Sequence, residues 1–258
     1  MNVMILIQNE QFFLPIGLRY LIPRLSDKDT LQIGIMKDKR FINKIGANSY
    51  QRLLREIAKV NINNNTHLLK RYFTIMMTHG RSIESVCQSY NTNMISIEND
   101  INPNTIIDQA LEHNPDVIFF IDFPSYFPYD QNDDYENTYI FYTHNSLLPY
   151  YQGELPTFWA LKEHETTTGI SIYAAPKKNN HFNIIRQASI DINKGTTFTQ
   201  LEYQVKILLM KNILTILDIL NQDNNIKSLY LPNIKGNYHP FPRLLDLKKF
   251  ISDGGIFF

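Results

Sequence analysis

The residue best placed for chemistry is His144, in the segment FYTHNSLLPYYQGELPTFWALKEHETTTGISIYAAP that starts at Phe141. A β-rich run ends at this histidine, a Leu-Leu-Pro bend follows, and helix resumes after Pro156. Open α/β sheets bind their ligands beyond the carboxyl ends of parallel strands. An imidazole at such an end can move a proton or donate to a carbonyl oxygen. Its ordinary alternative is a buried histidine with a structural hydrogen bond. Other chemistries lack their residues. The seven histidines are scattered without metal-ligand spacing, and a single Cys87 excludes both an intrachain disulfide and cysteine-based metal sites. The sequence contains no Gly-x-Gly, Gly-Lys-Ser/Thr, Gly-x-Ser-x-Gly or His-Glu-x-x-His, so neither a phosphate-cradling loop nor a metal centre is expected.

The elements that must hold His144 follow from hydrophobic pattern. Val3–Ile7, Leu31–Met36, Met94–Ile97 and Asp116–Phe123 predict strands, the first and last covered on both faces. Tyr139–Thr143 is the next strand, and Ile170–Tyr173 and Ile184–Ile192 make a later pair. Helices are predicted over Gln11–Leu25, Ser49–Val60, Leu68–Met77, Ser82–Tyr90, Asn104–His113, Pro156–Lys162 and Thr197–Asn221. Strands alternating with helices imply a parallel, right-handed α/β arrangement, and the later pair implies mixed strand directions. The chain therefore reads as one α/β domain over residues 1–221, with a C-terminal extension, 222–258, packed on it.

Within this frame the block from Thr143 to Tyr173 resembles the core of the 10-formyltetrahydrofolate-dependent formyltransferases (methionyl-tRNA and sugar N-formyltransferases among them). Those proteins carry Asn-x-His, a Ser-Leu-Leu-Pro loop, an aromatic residue, a basic residue and Gly. A Pro-x-x-Trp-Ala helix and a Thr-Gly-Val-Thr-Ile-His strand follow. This chain has His144-Asn145-Ser146-Leu147-Leu148-Pro149, then Tyr151-Gln152-Gly153, Pro156-Thr157-Phe158-Trp159-Ala160 and Thr168-Gly169-Ile170-Ser171-Ile172-Tyr173. The likeness extends upstream to EHNPDVIFFIDF and, in GNYHPFPRLLDLKKFISDGG, to a Tyr-x-x-Phe-Pro ending.

The resemblance implies a Rossmann-like, mixed but mainly parallel sheet flanked by helices. It also implies 10-formyltetrahydrofolate as co-substrate, no metal, and a small-molecule amine as acceptor. His144 would be catalytic, with Tyr142 at the family's Asn position and Asn180 at its Asp position. Ser146, Gln152 and Gly153 would bind substrate, and Phe123 and Tyr126 the folate, with Phe127 also able to stack on its ring. In the family an Asn amide and the His stabilise a tetrahedral oxyanion, each such donor being worth roughly 3 kcal/mol of barrier, while an Asp holds the His charge state. Here the Asn is Tyr142, the Asp is Asn180, and the basic residue is Gln152. No Asp or Glu occurs between Glu165 and Asp191. Losing an oxyanion donor and a charge partner together is expected to slow transfer on the order of 10⁴-fold.

Several residues also have bland readings. Tyr142 and Trp159 suit core packing, Asn180 and His181 a solvated loop, and Cys87 a small buried apolar position. His181 taking over proton transfer is the sharper alternative. Tyr238, His239 and Phe241 suit docking of the tail.

Composition bounds the partners. The 258 residues carry 25 Lys+Arg against 25 Asp+Glu, so no global field draws nucleic acid or anionic lipid. This balance and a short tail favour an amino sugar nucleotide over charged tRNA as acceptor. The N-terminus lacks a signal-peptide pattern, and Ile207–Leu220 is interrupted by Lys211 and Asp218, so neither secretion nor a membrane span is expected. A cytoplasmic protein is the expectation, and a homodimer is left open. The alternative to an enzyme is an impaired or inactive homologue acting as a binding or regulatory protein. An unrelated α/β ligand-binding domain is a third reading.

Overall fold

Two uncharged stretches form the middle of a sheet because both of their faces are covered. In the computed structural model, β1 (Asn2–Ile7) and β4 (Val117–Ile121) pair in parallel, Val3 opposite Val117 through Ile7 opposite Ile121, and every one of these ten residues is buried. Residues 1–8, 12–37, 49–60, 82–98, 103–123, 138–174, 183–222, 229–230 and 236–258 are described. The expected helix Leu68–Met77 lies outside them.

Around β1 and β4 stand β2 (Thr30–Lys37), β3 (Asn93–Glu98), β5 (Tyr139–His144), β7 (Thr167–Ala174), β8 (Asn183–Asp191) and β9 (Leu229–Tyr230). The order is β3-β2-β1-β4-β5-β7-β8-β9, eight strands among the described residues. Pairing is parallel from β3 to β5 and antiparallel from β5 to β9. This is the mixed, mainly parallel sheet expected from the alternation of elements. A two-residue pair, β6 (Gln152–Gly153) with β10 (Tyr238–His239), was not foreseen, since two residues leave no periodicity to read.

The strand period divides the core. Val3, Ile5, Ile7 and Phe119 face α1 (Leu14–Leu21), α3 (Ile83–Ser89) and α6 (Phe198–Asn221), whereas Met4, Leu6, Ile118 and Phe120 face α4 (Pro103–Leu111). The first helix is shorter than its predicted Gln11–Leu25. Pro15 sits in its first turn, and after Leu21 the chain tightens into a 3₁₀ turn, Ile22–Arg24, that contains Pro23. α2 (Ser49–Val60) and α5 (Pro156–Lys162) match their expected spans. Cys87 is buried, and burial, followed by the nearby Glu84 charge, pushes its thiol up to about 11, so it behaves as an apolar residue.

A third cluster joins the tail to the rest. Tyr50, Leu53 and Ile57 of α2, Phe158 and Trp159 of α5, and Phe198 pack with Phe241, Phe257, and Leu247 and Phe250 of α7 (Leu244–Ser252). The last residues also bond the start of α6: Phe198 and Thr199 donate their backbone N–H groups to the Ile256 and Phe257 carbonyls at 2.9 and 3.0 Å. Trp159 is core, as its bland reading held, and its Nε1–H donates to the Pro240 carbonyl at 3.1 Å. Phe250→Ala is therefore expected to lower unfolding stability by about 3–5 kcal/mol. Urea denaturation should show one transition shifted to lower midpoint, not a separate early loss of the tail.

Candidate functional site

The end of β5 delivers His144 to the carboxyl edge of the parallel half of the sheet. In register with β4, Phe120 stands opposite Tyr142. Asp122 follows the end of β4, near enough for its charge to act on His144. Asp122 has φ 60, in the left-handed region, so the chain turns sharply as it leaves β4. Thr143 Oγ1 donates to the Phe120 carbonyl at 3.1 Å and fastens the two strand ends together.

His144 is only 6% exposed. Its Nε2 lies 2.8 Å from the Tyr151 carbonyl, which can only accept, so Nε2 carries the hydrogen and Nδ1 is the basic atom of the neutral ring. Burial pushes the His144 pKa below its usual 6.5, and the Tyr151 carbonyl and the Asp122 charge oppose that shift without reversing it. A base with a lowered native pKa binds fewer protons folded than unfolded. Its contribution to stability is thus complete above about 6.5 and is lost as pH falls.

Asp122 opens a buried polar relay that sequence reasoning did not find. One carboxylate oxygen accepts from Asn145 Nδ2 at 3.2 Å, and the other pairs with Lys206 Nζ, whose side chain is fully buried in α6. One turn earlier, Glu202 accepts from Thr157 Oγ1 of α5 and from Tyr50 of α2. Burial raises the Glu202 pKa, opposed by Lys206, Thr157 and Tyr50 and reinforced by Asp122. The signal available beforehand was an acidic residue directly after an all-apolar strand, and two charges at i and i+4 on the apolar side of a long helix. Neither points to the other without the register.

The predicted site residues sort differently. Tyr142 is buried, its ring stacked on Phe120 (centroids 4.8 Å, 17°) and on Tyr173 (5.7 Å, 26°), which is the packing role. Ser146 Oγ donates to the Tyr150 carbonyl at 2.7 Å, and Ser146's own carbonyl accepts from Ser171 Oγ at 2.7 Å. Ser171 also accepts from Leu148 N–H and Gln187 Nε2, so the loop after β5 is clamped to β7 and β8. Gln152 Nε2 donates to the Pro149 carbonyl at 3.0 Å. Gly153 has φ 100, and a Cβ there would stand 2.1 Å from the His239 carbonyl oxygen, so only glycine lets β6 and β10 approach. His239 stacks on Tyr151 and packs on Trp159, which docks the tail as its bland reading held. Phe123 is edge-on to Phe120 in the core. Tyr126, Phe127, Asn180 and His181 lie outside the described residues. No group of His, Cys, Asp and Glu able to hold a metal occurs among the described residues.

The arrangement fits comparisons with known proteins. The family model described as "Formyl transferase" matches residues 81–216, just over half of the chain. A methionyl-tRNA formyltransferase of Limosilactobacillus fermentum is 32% identical over 142 residues, covering 52% of this chain and 44% of that protein. The bifunctional polymyxin resistance protein ArnA of Wigglesworthia glossinidia brevipalpis is 42% identical over 57 residues, 22% of this chain and 9% of that one. The chain thus spans less than half the length of these curated relatives. Among solved structures, a phosphoribosylglycinamide formyltransferase from Anaplasma phagocytophilum superposes with TM-score 0.55 at 15% identity, covering 93% of this chain and 98% of that one. An N-formyltransferase from Helicobacter canadensis, in complex with folinic acid and dTDP-3-aminofucose, gives 0.55 at 14%, with 92% and 70% covered. These two share the fold.

The relay makes a stability prediction. Lys206→Met leaves Asp122 and Glu202 without their cation, and is expected to cost about 3–4 kcal/mol, the lower part of the range for a broken buried pair because Asp122 keeps some exposure. Adding Asp122→Asn should recover part of that loss, read as a partial return of the urea midpoint.

Proposed function

This chain belongs to the formyl transferase family, and we propose that it moves a formyl group from 10-formyltetrahydrofolate to a small amine such as an amino sugar nucleotide. The observation that carries the reading is His144. It ends a central strand with its Nε2–H fixed and its Nδ1 left basic, in the segment that matches the family motif in order and spacing.

Transfer begins when the amine nitrogen attacks the formyl carbon and the carbonyl oxygen becomes an oxyanion. The N10–carbon bond then breaks, one amine proton reaches N10, and a formamide and tetrahydrofolate leave. A neutral His144 is suited to the proton, taking it at Nδ1 from the attacking amine and returning it to N10. With Nε2–H already given to Tyr151, the same ring is poorly suited to stabilise the oxyanion. Tyr142, stacked in the core, leaves the family's amide position without a substitute, so we propose slow turnover. Ser146, Gln152 and Gly153 serve substrate by shaping the loop, and residues 123–126 with Phe123 and Tyr126 remain the proposed folate side. The domain division stays at 1–221 and 222–258.

The burial of Tyr142 also favours a second reading, a binding protein that keeps the folate site but has lost the chemistry. Steady-state release of tetrahydrofolate, with 10-formyltetrahydrofolate and dTDP-3-aminofucose, separates the two. His144→Asn is expected to lower the rate by about 10²-fold or more, the range for a positioned acid–base group, whereas Tyr142→Phe should change it less than about threefold. The acid limb of kcat/KM is expected below pH 6.5, because the His144 pKa is lowered. Folate binding without amine-dependent release in wild type would favour the second reading, and an unchanged rate in His144→Asn would overturn the first.

A further inference from the structure

We propose that Asn145 Oδ1 is the receptor for the acceptor's amine, an assignment that rests on the formyl-transfer reading above. Asn145 follows His144 directly and is itself 6% exposed. Its Nδ2 donates to Asp122 Oδ1, and a carboxylate can only accept, so the amide has one orientation with Oδ1 turned to the other side. Lys206 holds the second oxygen of Asp122, so the carboxylate cannot swing away to release the amide. Asn145 Oδ1 is buried and has no hydrogen-bond partner among the described residues. A buried acceptor left unpaired is costly, and a donor that arrives with a ligand would satisfy it.

The chemistry of the reaction says which ligand that is. The N10-formyl group of the folate has no N–H at its reacting centre and offers only an acceptor oxygen. The amine is the reactant that brings N–H donors to this edge of the sheet. An amide oxygen is also the appropriate acceptor, because a carboxylate in its place would favour the protonated, unreactive ammonium. As the nitrogen attacks and gains positive character, its N–H groups become stronger donors and the contact to Asn145 tightens. In the proposed reaction His144, the adjacent residue, takes the proton at Nδ1. Asn145 is in this account a binding residue, held by Asp122 and Lys206 as positioning residues.

The probe is O-methylhydroxylamine, a primary amine that is neutral near pH 7, with N,N,O-trimethylhydroxylamine as the control that lacks N–H. The full chain carrying ¹⁵N-asparagine is titrated with each, and the Asn145 side-chain signals are identified by their loss in Asn145→Ser. The expected result is a saturable shift of those signals with the primary amine and none with the control. No shift with the primary amine, or equal shifts with both, overturns the proposal. In turnover, Asn145→Ser is expected to raise the acceptor KM about tenfold, the worth of one such hydrogen bond, at unchanged KM for 10-formyltetrahydrofolate. Equal rises in both would mark a structural role instead. A saturable shift without formyl transfer would leave this site standing and remove the reading of activity, while formyl transfer without the shift would remove this site alone.

Discussion

The ion pair between Asp122 and Lys206 is the constraint on which the site depends. A charge taken out of water is tolerated when paired and hydrogen-bonded, and this one is placed where the central strand β4 ends and α6 crosses beneath it. Through Asn145 the pair reaches the residue next to His144. Through the helix turn to Glu202 it reaches Thr157 and Tyr50, and so α5 and α2. The same few residues therefore tie the sheet edge, the long helix and the tail-bearing cluster into one piece. Polar groups in such a place must satisfy one another, which makes their geometry specific in a way that apolar packing alone is not.

The pair also changes how the altered family motif is to be understood. By sequence alone, no Asp or Glu occurs between Glu165 and Asp191 to be the carboxylate that the resemblance leads one to expect near His144. In three dimensions a carboxylate is nevertheless present, supplied by the neighbouring strand end, and its field does act on the imidazole. Burial outweighs that field and holds His144 neutral. The imidazole is thus held as a neutral base, with Nδ1 its basic atom, and not as a cation.

Much of the frame was legible in the residues. Apolar runs without charges marked β1 and β4, three-to-four spacing marked α2 and α6, and Pro156 marked the start of α5, because each signal is local. The end of the first helix was misread because Pro23 is compatible with a 3₁₀ turn as well as with a stop. The place of His144 at a strand end, with a tight loop behind it, was legible from motif order. Asp122, Asn145, Lys206 and Glu202 were not, since their meaning comes from β4–β5 register and from the side of α6 that faces the sheet. Tyr142 shows the reverse case: its hydroxyl invited a chemical role, and the rings of Phe120 and Tyr173 give it a packing one.

The account's central claim is that the edge formed by β4 and β5 transfers a formyl group between nitrogens. A single-turnover experiment with 10-formyltetrahydrofolate labelled by ¹³C in the formyl group tests it most directly, with excess protein and an amino sugar nucleotide followed by carbon NMR. The account predicts that the label leaves the folate and appears as the formamide of the acceptor, slowly but to completion. A label that stays on bound folate, or that appears only as formate released to water, would contradict it.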